Sequence, residues 1–164
     1  MLTSPLNPWA RVSLSASRSE TPELVLQADC AHGTSVSHKG RAALIVGPSG
    51  SGKSALALQL MACGARLIAD DRTCISLVDG QLMLSAPPAI ENMIEARGLG
   101  ILRTAPAQPA PLALVVDMGQ SEVHRLPPRR KIRVMAIEID LVHNVAHSHF
   151  PAAVMQYIVG GRIA

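Results

Sequence analysis

The feature that most constrains this chain is the run Gly47–Ser54, which reads Gly-Pro-Ser-Gly-Ser-Gly-Lys-Ser. It fits the pattern of a phosphate-binding loop, a glycine followed by four residues and then Gly-Lys-Ser/Thr. An apolar run over residues 42–46 precedes it, and an amphipathic run over residues 55–61 follows it. This order predicts a strand, a loop and a helix, which is the context in which such a loop binds phosphate.

The residue types of the loop have physical roles at this spacing. Its glycines let successive backbone N–H groups turn towards anionic oxygens, and the next helix adds its positive N-terminus. Lys53 can reach the β- and γ-phosphates of a nucleotide, and the Ser54 hydroxyl can bind Mg²⁺. A glycine-rich surface turn is the alternative, but the flanking strand and helix agree with the motif. The predicted nucleotide-binding residues are Gly47, Pro48, Ser49, Gly50, Ser51, Gly52, Lys53 and Ser54.

Composition limits the class of partner. The 164 residues are 48% apolar, so the chain should fold around an aliphatic core. Only 2% are aromatic and the formal net charge is +3, which argues against a nucleic-acid partner, since single strands stack on aromatic rings. No window holds eighteen apolar residues, so no membrane span is expected.

The three cysteines, Cys30, Cys63 and Cys74, form no close pair in the sequence, which predicts reduced thiols. Cys63 lies in the predicted helix, where a small core residue is expected. The N-terminus lacks the apolar centre of a signal peptide. These features together predict a cytoplasmic protein.

Residues 1–21 are rich in Ser, Pro and Arg, which predicts a loose tail, and a P-loop domain is predicted over residues 22–164. Asp79-Gly80 is a hairpin signal, and Gly64 is a helix stop. Many strands and few helices favour an α/β fold with a mixed, partly antiparallel sheet. Strands are predicted at 24–28, 31–37, 41–46, 66–69, 73–78, 81–84, 112–116 and 132–139, helices at 53–63 and 150–159, and a short helix or turn at 90–96.

Acidic residues supply the remaining candidates, because phosphoryl transfer needs metal ligands and a group that takes the acceptor proton. Asp70-Asp71 follow a short apolar strand that we expect beside the loop strand. Glu95 lies near glycines that imply a tight backbone path. Asp117 also follows a predicted strand, and pattern alone does not choose between it and Asp70. A cap or turn for Asp70 and a solvated Glu95–Arg97 pair are the structural alternatives.

Five segments taken together resemble the HPr kinase/phosphorylase family, in its C-terminal catalytic domain. They are His32-Gly33, the phosphate loop, Leu67-Ile68-Ala69-Asp70-Asp71-Arg72 with the later Ala86-Pro87-Pro88, and Ile94-Glu95-Ala96-Arg97-Gly98-Leu99-Gly100-Ile101. The resemblance runs from about Cys30 to Ile101 and is loose beyond that.

The resemblance implies an ATP-dependent kinase that phosphorylates a serine of HPr, a small phosphocarrier of the bacterial sugar phosphotransferase system. Many such proteins also remove that phosphate by phosphorolysis. The implied fold is the P-loop fold of HPr kinase and phosphoenolpyruvate carboxykinase, and the implied assembly is a homo-oligomer, a hexamer in the family.

The resemblance also assigns roles to individual residues. Asp71 would be the base of the kinase reaction, His32 would assist near the phosphates, and Lys53 would bind phosphate. Ser54 and Glu95 would hold Mg²⁺, with Asp70 close by. The family has no counterpart of Asp117 at its site, which implies a strand-end or surface role for that residue.

The chain departs from the family after Ile101, where longer members carry an insert that ends in a functional arginine. Residues 102–109 take its place here, and neither Arg103 nor Arg125 is assigned that role. The chain resembles a short proteobacterial form, in which the phosphocarrier belongs to a nitrogen-linked system. Phosphorolysis is therefore a weaker expectation than kinase activity.

Other readings stay open. A small-molecule kinase and a non-enzymatic nucleotide-binding regulatory module would both use the loop, although a pure sensor needs no base such as Asp71. His143, His147 and His149 have metal-compatible spacings but no further ligand nearby in the sequence. The basic run over residues 129–131 reads as a solvated loop or as a contact for an acidic protein.

Overall fold

The computed structural model describes residues 21–164. The predicted N-terminal tail therefore lies, apart from Thr21, outside the described residues. The described strands are β1 (Cys30–His38), β2 (Arg41–Val46), β3 (Arg66–Ala69), β4 (Arg72–Val78), β5 (Gln81–Ser85), β6 (Met93–Ala96), β7 (Gly100–Arg103), β8 (Ala110–Ser121), β9 (Arg130–Val134) and β10 (Ile137–Asn144). The helices are α1 (Lys53–Ala62), α2 (Phe150–Gly160) and one 3₁₀ turn (Pro88–Ile90).

The strands form one mixed sheet and a separate hairpin. The sheet runs in the order β2-β1-β4-β5-β8-β10-β9, β3 pairs with β1, and β6 pairs only with β7. β8 is parallel to β2 and to β10, whereas the other pairs are antiparallel. Because β2 also pairs with β8, the strands β2, β1, β4, β5 and β8 close into a ring. The predicted α/β class with a mixed, partly antiparallel sheet is confirmed.

Strand β2 is buried on both faces, which explains its unbroken apolar run. Leu44 and Val46 belong to a core shared with β4, β5 and β8. Ala43 and Ile45 belong to a second core, shared with α1 and α2. Since each fully buried Leu or Ile contributes about 1.5–3 kcal/mol, these two layers hold the end of β2 firmly where the phosphate loop begins.

Two predictions about strand position are wrong. Residues 24–28 form no strand; the chain there makes only isolated bridges, Glu23 with Arg133 and Gln27 with Cys30. The strand that ends at Asp70 does not lie beside the loop strand. β1 lies between β3 and β2, because it pairs with β2 along one edge and with β3 and β4 along the other.

Two other predictions missed a β-hairpin. The segment predicted as a short helix or turn at 90–96 has a turn at residues 91–92, but it continues into strand β6, which forms a hairpin with β7. The strand predicted at 132–139 is the hairpin of β9 and β10. Met135 and Ala136 make its turn with φ angles of 46° and 67°, and neither residue is among those that usually mark such a turn.

The remaining elements follow the sequence closely. Asp79 and Gly80 form the turn between β4 and β5, both with positive φ. Helix α1 ends at Ala62, and Gly64 follows with a φ of 103°. None of the helices in residues 21–164 is long and apolar enough to cross a membrane.

Candidate functional site

The phosphate loop joins the buried end of β2 to α1. Gly47, Gly50 and Gly52 all have positive φ, a conformation that β-carbons disfavour. At Gly47 an added β-carbon would lie 2.7 Å from Ser51 Oγ and 3.1 Å from the backbone nitrogen of Gly119. The loop therefore needs glycine there for both its conformation and its close approach to β8.

The Lys53 side chain folds back over the loop. It is 7% exposed, and its Nζ donates to the carbonyl oxygens of Gly47 at 3.0 Å and Pro48 at 3.2 Å. Burial lowers the pKa of Lys53, and the nearby charges of Asp71 and Asp70 oppose that effect. The Lys53 ammonium group is thus held at the loop by hydrogen bonds to two uncharged carbonyl oxygens.

The polar groups of the loop fit a bound anion. The Ser51 hydroxyl oxygen is buried and has no hydrogen-bond partner among the described residues. A buried hydroxyl without a partner costs free energy that a phosphate oxygen would recover. Together with the first turn of α1 and the Lys53 ammonium, it forms a cradle suited to the phosphates of a nucleotide.

Asp70 lies at the centre of a cluster beside the loop, which we call the Asp70 cluster: buried Thr34 and Asp70, half-buried Ser54 and exposed Glu95. Asp70 is 7% exposed. Its Oδ1 accepts hydrogen bonds from Ser54 Oγ at 2.7 Å and from Thr34 Oγ1 at 2.9 Å. Its Oδ2 accepts one from the backbone N–H of Glu95 at 2.9 Å. These three donors compensate the burial of the carboxylate.

The cluster brings together the three predicted metal residues from distant elements. Ser54 comes from α1, Asp70 from the end of β3, and Glu95 from β6. Hydroxyl and carboxylate oxygens are ligands that Mg²⁺ prefers. The contact of Glu95 with Asp70 is made by its backbone, and its side chain is exposed.

Asp71 is the next residue but has the opposite environment. Its φ is 63°, and the turn is closed by the Arg72 N–H, which donates to the Asp70 carbonyl at 2.6 Å. This turn faces the Asp71 side chain outwards, where it is 75% exposed. Its Oδ1 lies 3.0 Å from Nε2 of His32, which comes from β1. We call these two residues the His32–Asp71 pair.

Hydrogen bonds of the Asp71 backbone connect the His32–Asp71 pair to the Asp70 cluster. The Asp71 N–H reaches the Thr34 hydroxyl at 3.4 Å, and the Gly33 N–H donates to the Asp71 carbonyl at 2.9 Å. A buried carboxylate that accepts three hydrogen bonds and an exposed carboxylate therefore lie side by side at one end of the sheet. The Asp71 carboxylate is the more accessible of the two to an approaching molecule.

Asp117, the sequence rival of Asp70, lies on the other side of the loop strand. It is opposite Val46 in the parallel pairing of β2 with β8. Its Oδ1 accepts from the backbone N–H of Gly119 at 2.8 Å. Of the two roles expected for Asp117, strand end or surface, the strand-end role is wrong because β8 continues to Ser121, and the residue is half-buried.

A cleft of about 300 Å³ opens on this same side of the loop. It runs between α1 and the segment that joins β10 to α2. Its polar lining includes Gln59, Asn144, His147 and Ser148, and Gly52 lies at its edge. The loop thus has acidic groups on one flank and a partly apolar cleft on the other.

Thr34 was missed by sequence reasoning. It is fully buried, and its hydroxyl connects both aspartates. The only signal is its position two residues after His32 in a predicted strand, which places both residues on one face. Among the other histidines, His147 and His149 stack at 5.6 Å, and within residues 21–164 no group of three or more side chains could hold a metal ion.

Comparisons with known proteins indicate a family and a fold. The family described as HPr Serine kinase C-terminal domain matches residues 24–107, half of the chain. An HPr kinase/phosphorylase of Bordetella petrii is 37% identical over 128 residues, which cover 77% of this chain and 36% of that protein. An HPr kinase/phosphorylase of Clostridium tetani is 46% identical over 71 residues, which cover 43% of this chain and 23% of that protein.

A solved structure has the same fold. The Hpr(Ser) kinase/phosphatase from Coxiella burnetii matches with a TM-score of 0.65 at 20% identity, over 79% of this chain and 87% of that chain. The matches with the two curated relatives span 23–36% of the length of those proteins. On its sequence, the chain belongs to the family of the HPr serine kinase C-terminal domain.

Proposed function

We propose that this chain is an ATP-dependent protein kinase that phosphorylates a serine of an HPr-type phosphocarrier. The observation that carries the proposal is the convergence, at one end of the sheet, of a phosphate loop, a buried metal-compatible carboxylate and an exposed carboxylate–histidine pair. A nucleotide sensor needs the first two but has no use for an exposed base. The choice of HPr as the substrate in this proposal rests on the names of the curated relatives, which are HPr kinase/phosphorylases.

In this proposal the phosphate loop binds the triphosphate of ATP. Lys53 leaves its carbonyl acceptors and contacts the phosphates, where its charge opposes the charge that develops during transfer. Ser54, Asp70 and Glu95 would hold Mg²⁺, which neutralises phosphate charge when bound. The γ-phosphate would then face the acidic flank of the loop.

Asp71 would orient the serine hydroxyl of the carrier and accept its proton as the phosphoryl group is transferred. His32 would position the Asp71 carboxylate through their 3.0 Å contact. With the γ-phosphate on the acidic flank, the nucleoside would leave the loop on the opposite flank. There the cleft between α1 and the segment before α2 can receive it.

The test is transfer of label from γ-labelled ATP to a purified HPr-type carrier in the presence of Mg²⁺. We expect label on a carrier serine with the wild-type chain, and a loss of both ATP binding and labelling with Lys53→Met. Gln59→Ala on the cleft should weaken binding of ATP but not of inorganic tripolyphosphate. Binding of ATP without labelling of any HPr-type carrier would instead support a regulatory module or a small-molecule kinase.

Phosphorolysis is the second activity that the relatives' names suggest. It is tested by adding inorganic phosphate to the phosphorylated carrier and measuring pyrophosphate. Release of pyrophosphate would show that residues 102–109 suffice in place of the longer insert. We also propose that the chain forms a homo-oligomer, which sedimentation analysis would test.

A further inference from the structure

Two cysteines that are distant in the sequence face each other beside the His32–Asp71 pair. Cys30 on β1 is directly opposite Cys74 on β4, and their sulfur atoms are 2.8 Å apart. Residues directly opposite in antiparallel strands have Cα atoms about 4.5–5.5 Å apart, within the range of about 4.4–6.8 Å found in disulfides. Both thiols are free, and the two strands already have a spacing that a disulfide accepts.

The cysteine pair is one step along the strands from the proposed catalytic residues. The next opposed pair on that face is His32 with Arg72. Asp71 immediately precedes β4 and contacts His32. The cysteines therefore join the two strands that carry the two halves of the His32–Asp71 pair.

We propose that Cys30 and Cys74 are a site of reversible oxidation, and that their disulfide slows the phosphoryl transfer proposed above. The oxidant would be a low-molecular-weight disulfide such as oxidised glutathione. The thiolate of one cysteine attacks a sulfur of that disulfide, its S–S bond breaks, and the released thiolate takes up a proton. The second cysteine then loses its proton, attacks the mixed disulfide and expels the second small thiol.

The balance of this exchange is complete, because two protein thiols and one small disulfide become one protein disulfide and two small thiols. Cys74 is the more accessible partner, since it is half-buried and Cys30 is buried. Burial, and next the hydrogen bond with Cys30, raises the pKa of Cys74 to about 11. The thiolate is therefore scarce at neutral pH, and the exchange should be slow except at high oxidant concentration.

The disulfide should affect the site because the bond shifts the two cysteines and fixes them on strands β1 and β4, next to the His32–Asp71 pair. The sulfur atoms must approach by about 0.8 Å to reach the bond length of about 2.0 Å. A misplacement of about 1 Å in a catalytic group can reduce a rate by about 10²-fold. The reduced form has His32 and Asp71 in contact, so oxidation should lower the transfer rate several-fold.

The exposed third cysteine provides a matched control. Cys63 lies at the end of α1, where the structure places it in solvent and not in the predicted core. The Cys63→Ser variant keeps only the proposed pair, so any intramolecular disulfide in it must join Cys30 to Cys74. Cys74→Ser and Cys74→Ala remove that pairing, and two replacements guard against one that fails to fold.

The experiment is incubation of Cys63→Ser with oxidised glutathione at about pH 8, followed by intact-mass measurement, thermal melting and carrier labelling. We expect loss of two hydrogen atoms, a midpoint several degrees higher because the bond restricts the unfolded chain, and slower labelling that dithiothreitol restores. The Cys74 variants should show none of these changes. A protein that keeps both thiols, or a disulfide that leaves labelling unchanged, would overturn the proposal.

This inference rests on the proposed function only for its labelling readout. Mass and melting need neither ATP nor carrier, so they report on the oxidation site alone. If the reduced protein labels no carrier, the proposed function fails, and the fall in labelling predicted here fails with it. If the reduced protein labels the carrier and no disulfide forms, only the oxidation site fails.

Discussion

The Asp70 cluster and the His32–Asp71 pair occupy neighbouring positions and have opposite physical characters. Asp70 is buried and its carboxylate accepts three hydrogen bonds, whereas the Asp71 carboxylate is exposed and contacts the half-exposed His32. The left-handed turn at Asp71 produces this difference by sending successive side chains in different directions. In the function proposed above, the two adjacent aspartates would have different roles, one structural and metal-binding and one chemical.

The largest expected effect is on transfer by Asp71→Asn. Asparagine tolerates the positive φ and keeps the shape of the side chain but cannot accept the proton. The proposed transfer rate should fall by about 10²–10⁴-fold. Rates are measured in single turnover with labelled ATP and carrier.

The control for Asp71→Asn is ATP affinity and stability in the same variant. Because the side chain is exposed, the free energy of unfolding should change by less than about 0.5 kcal/mol. Transfer at the wild-type rate would show that the exposed carboxylate has no chemical role.

Asp70→Asn, unlike Asp71→Asn, should clearly lower the free energy of unfolding. The asparagine amide would place its own N–H group opposite at least one of the three hydrogen-bond donors that face Asp70. This mismatch should lower the free energy of unfolding by about 1–3 kcal/mol. Urea unfolding measures this loss, and ATP binding titrated against Mg²⁺ tests the metal role. Stability equal to that of Asp71→Asn would remove the distinction between the two aspartates.

Thr34→Val sharpens the comparison by removing a single donor from the Asp70 cluster. Asp70 keeps its hydrogen bonds from Ser54 and from the Glu95 backbone, so the loss in unfolding free energy should be about 1 kcal/mol. Thr34→Ser is the matched control, since it keeps the hydroxyl and loses a methyl group. The hydroxyl role is refuted if the serine variant is the less stable one.

The smallest expected effect concerns a carboxylate far from the loop. Asp140 accepts a hydrogen bond from Tyr157 Oη at 2.9 Å, and burial, followed by this bond, raises the pKa of Tyr157 to about 12 from 10.0. The folded state therefore holds the phenol proton more tightly than the unfolded state. This contribution to stability is complete below about pH 10 and is lost as pH rises to about 12.

In Tyr157→Phe that alkaline loss of stability should be smaller, and transfer at neutral pH should be unchanged. Chemical unfolding between pH 9 and pH 12 would measure the first, and carrier labelling the second. A Phe variant with the same alkaline profile as wild type would show that the phenol is not the titrating group.

The sequence predicted the phosphate loop, its strand and its helix because their signals are local. Glycine positions, apolar runs and a helix stop each act within a few residues. The failures involve longer-range choices. Nothing local indicates that β1 would lie between β2 and β3, or that residues 93–96 would pair with β7 and not continue a helix.

The same distinction applies to the site. Lys53 and Ser54 are identified by a motif, and the acidic candidates by their positions after strands. The burial of Asp70, the contact of His32 with Asp71 and the meeting of Cys30 with Cys74 all depend on the register of β1 with β3 and β4. Such register is fixed by the packed sheet and has no signature within a single strand.

The measurement that tests the central claim most directly is a double-mutant cycle on single-turnover transfer, with His32→Gln, Asp71→Asn and the double variant. If the His32–Asp71 pair acts as one unit on the acceptor proton, the double variant should lose no more activity than Asp71→Asn alone. Losses that multiply would show that the two residues act independently and would contradict the account of the pair.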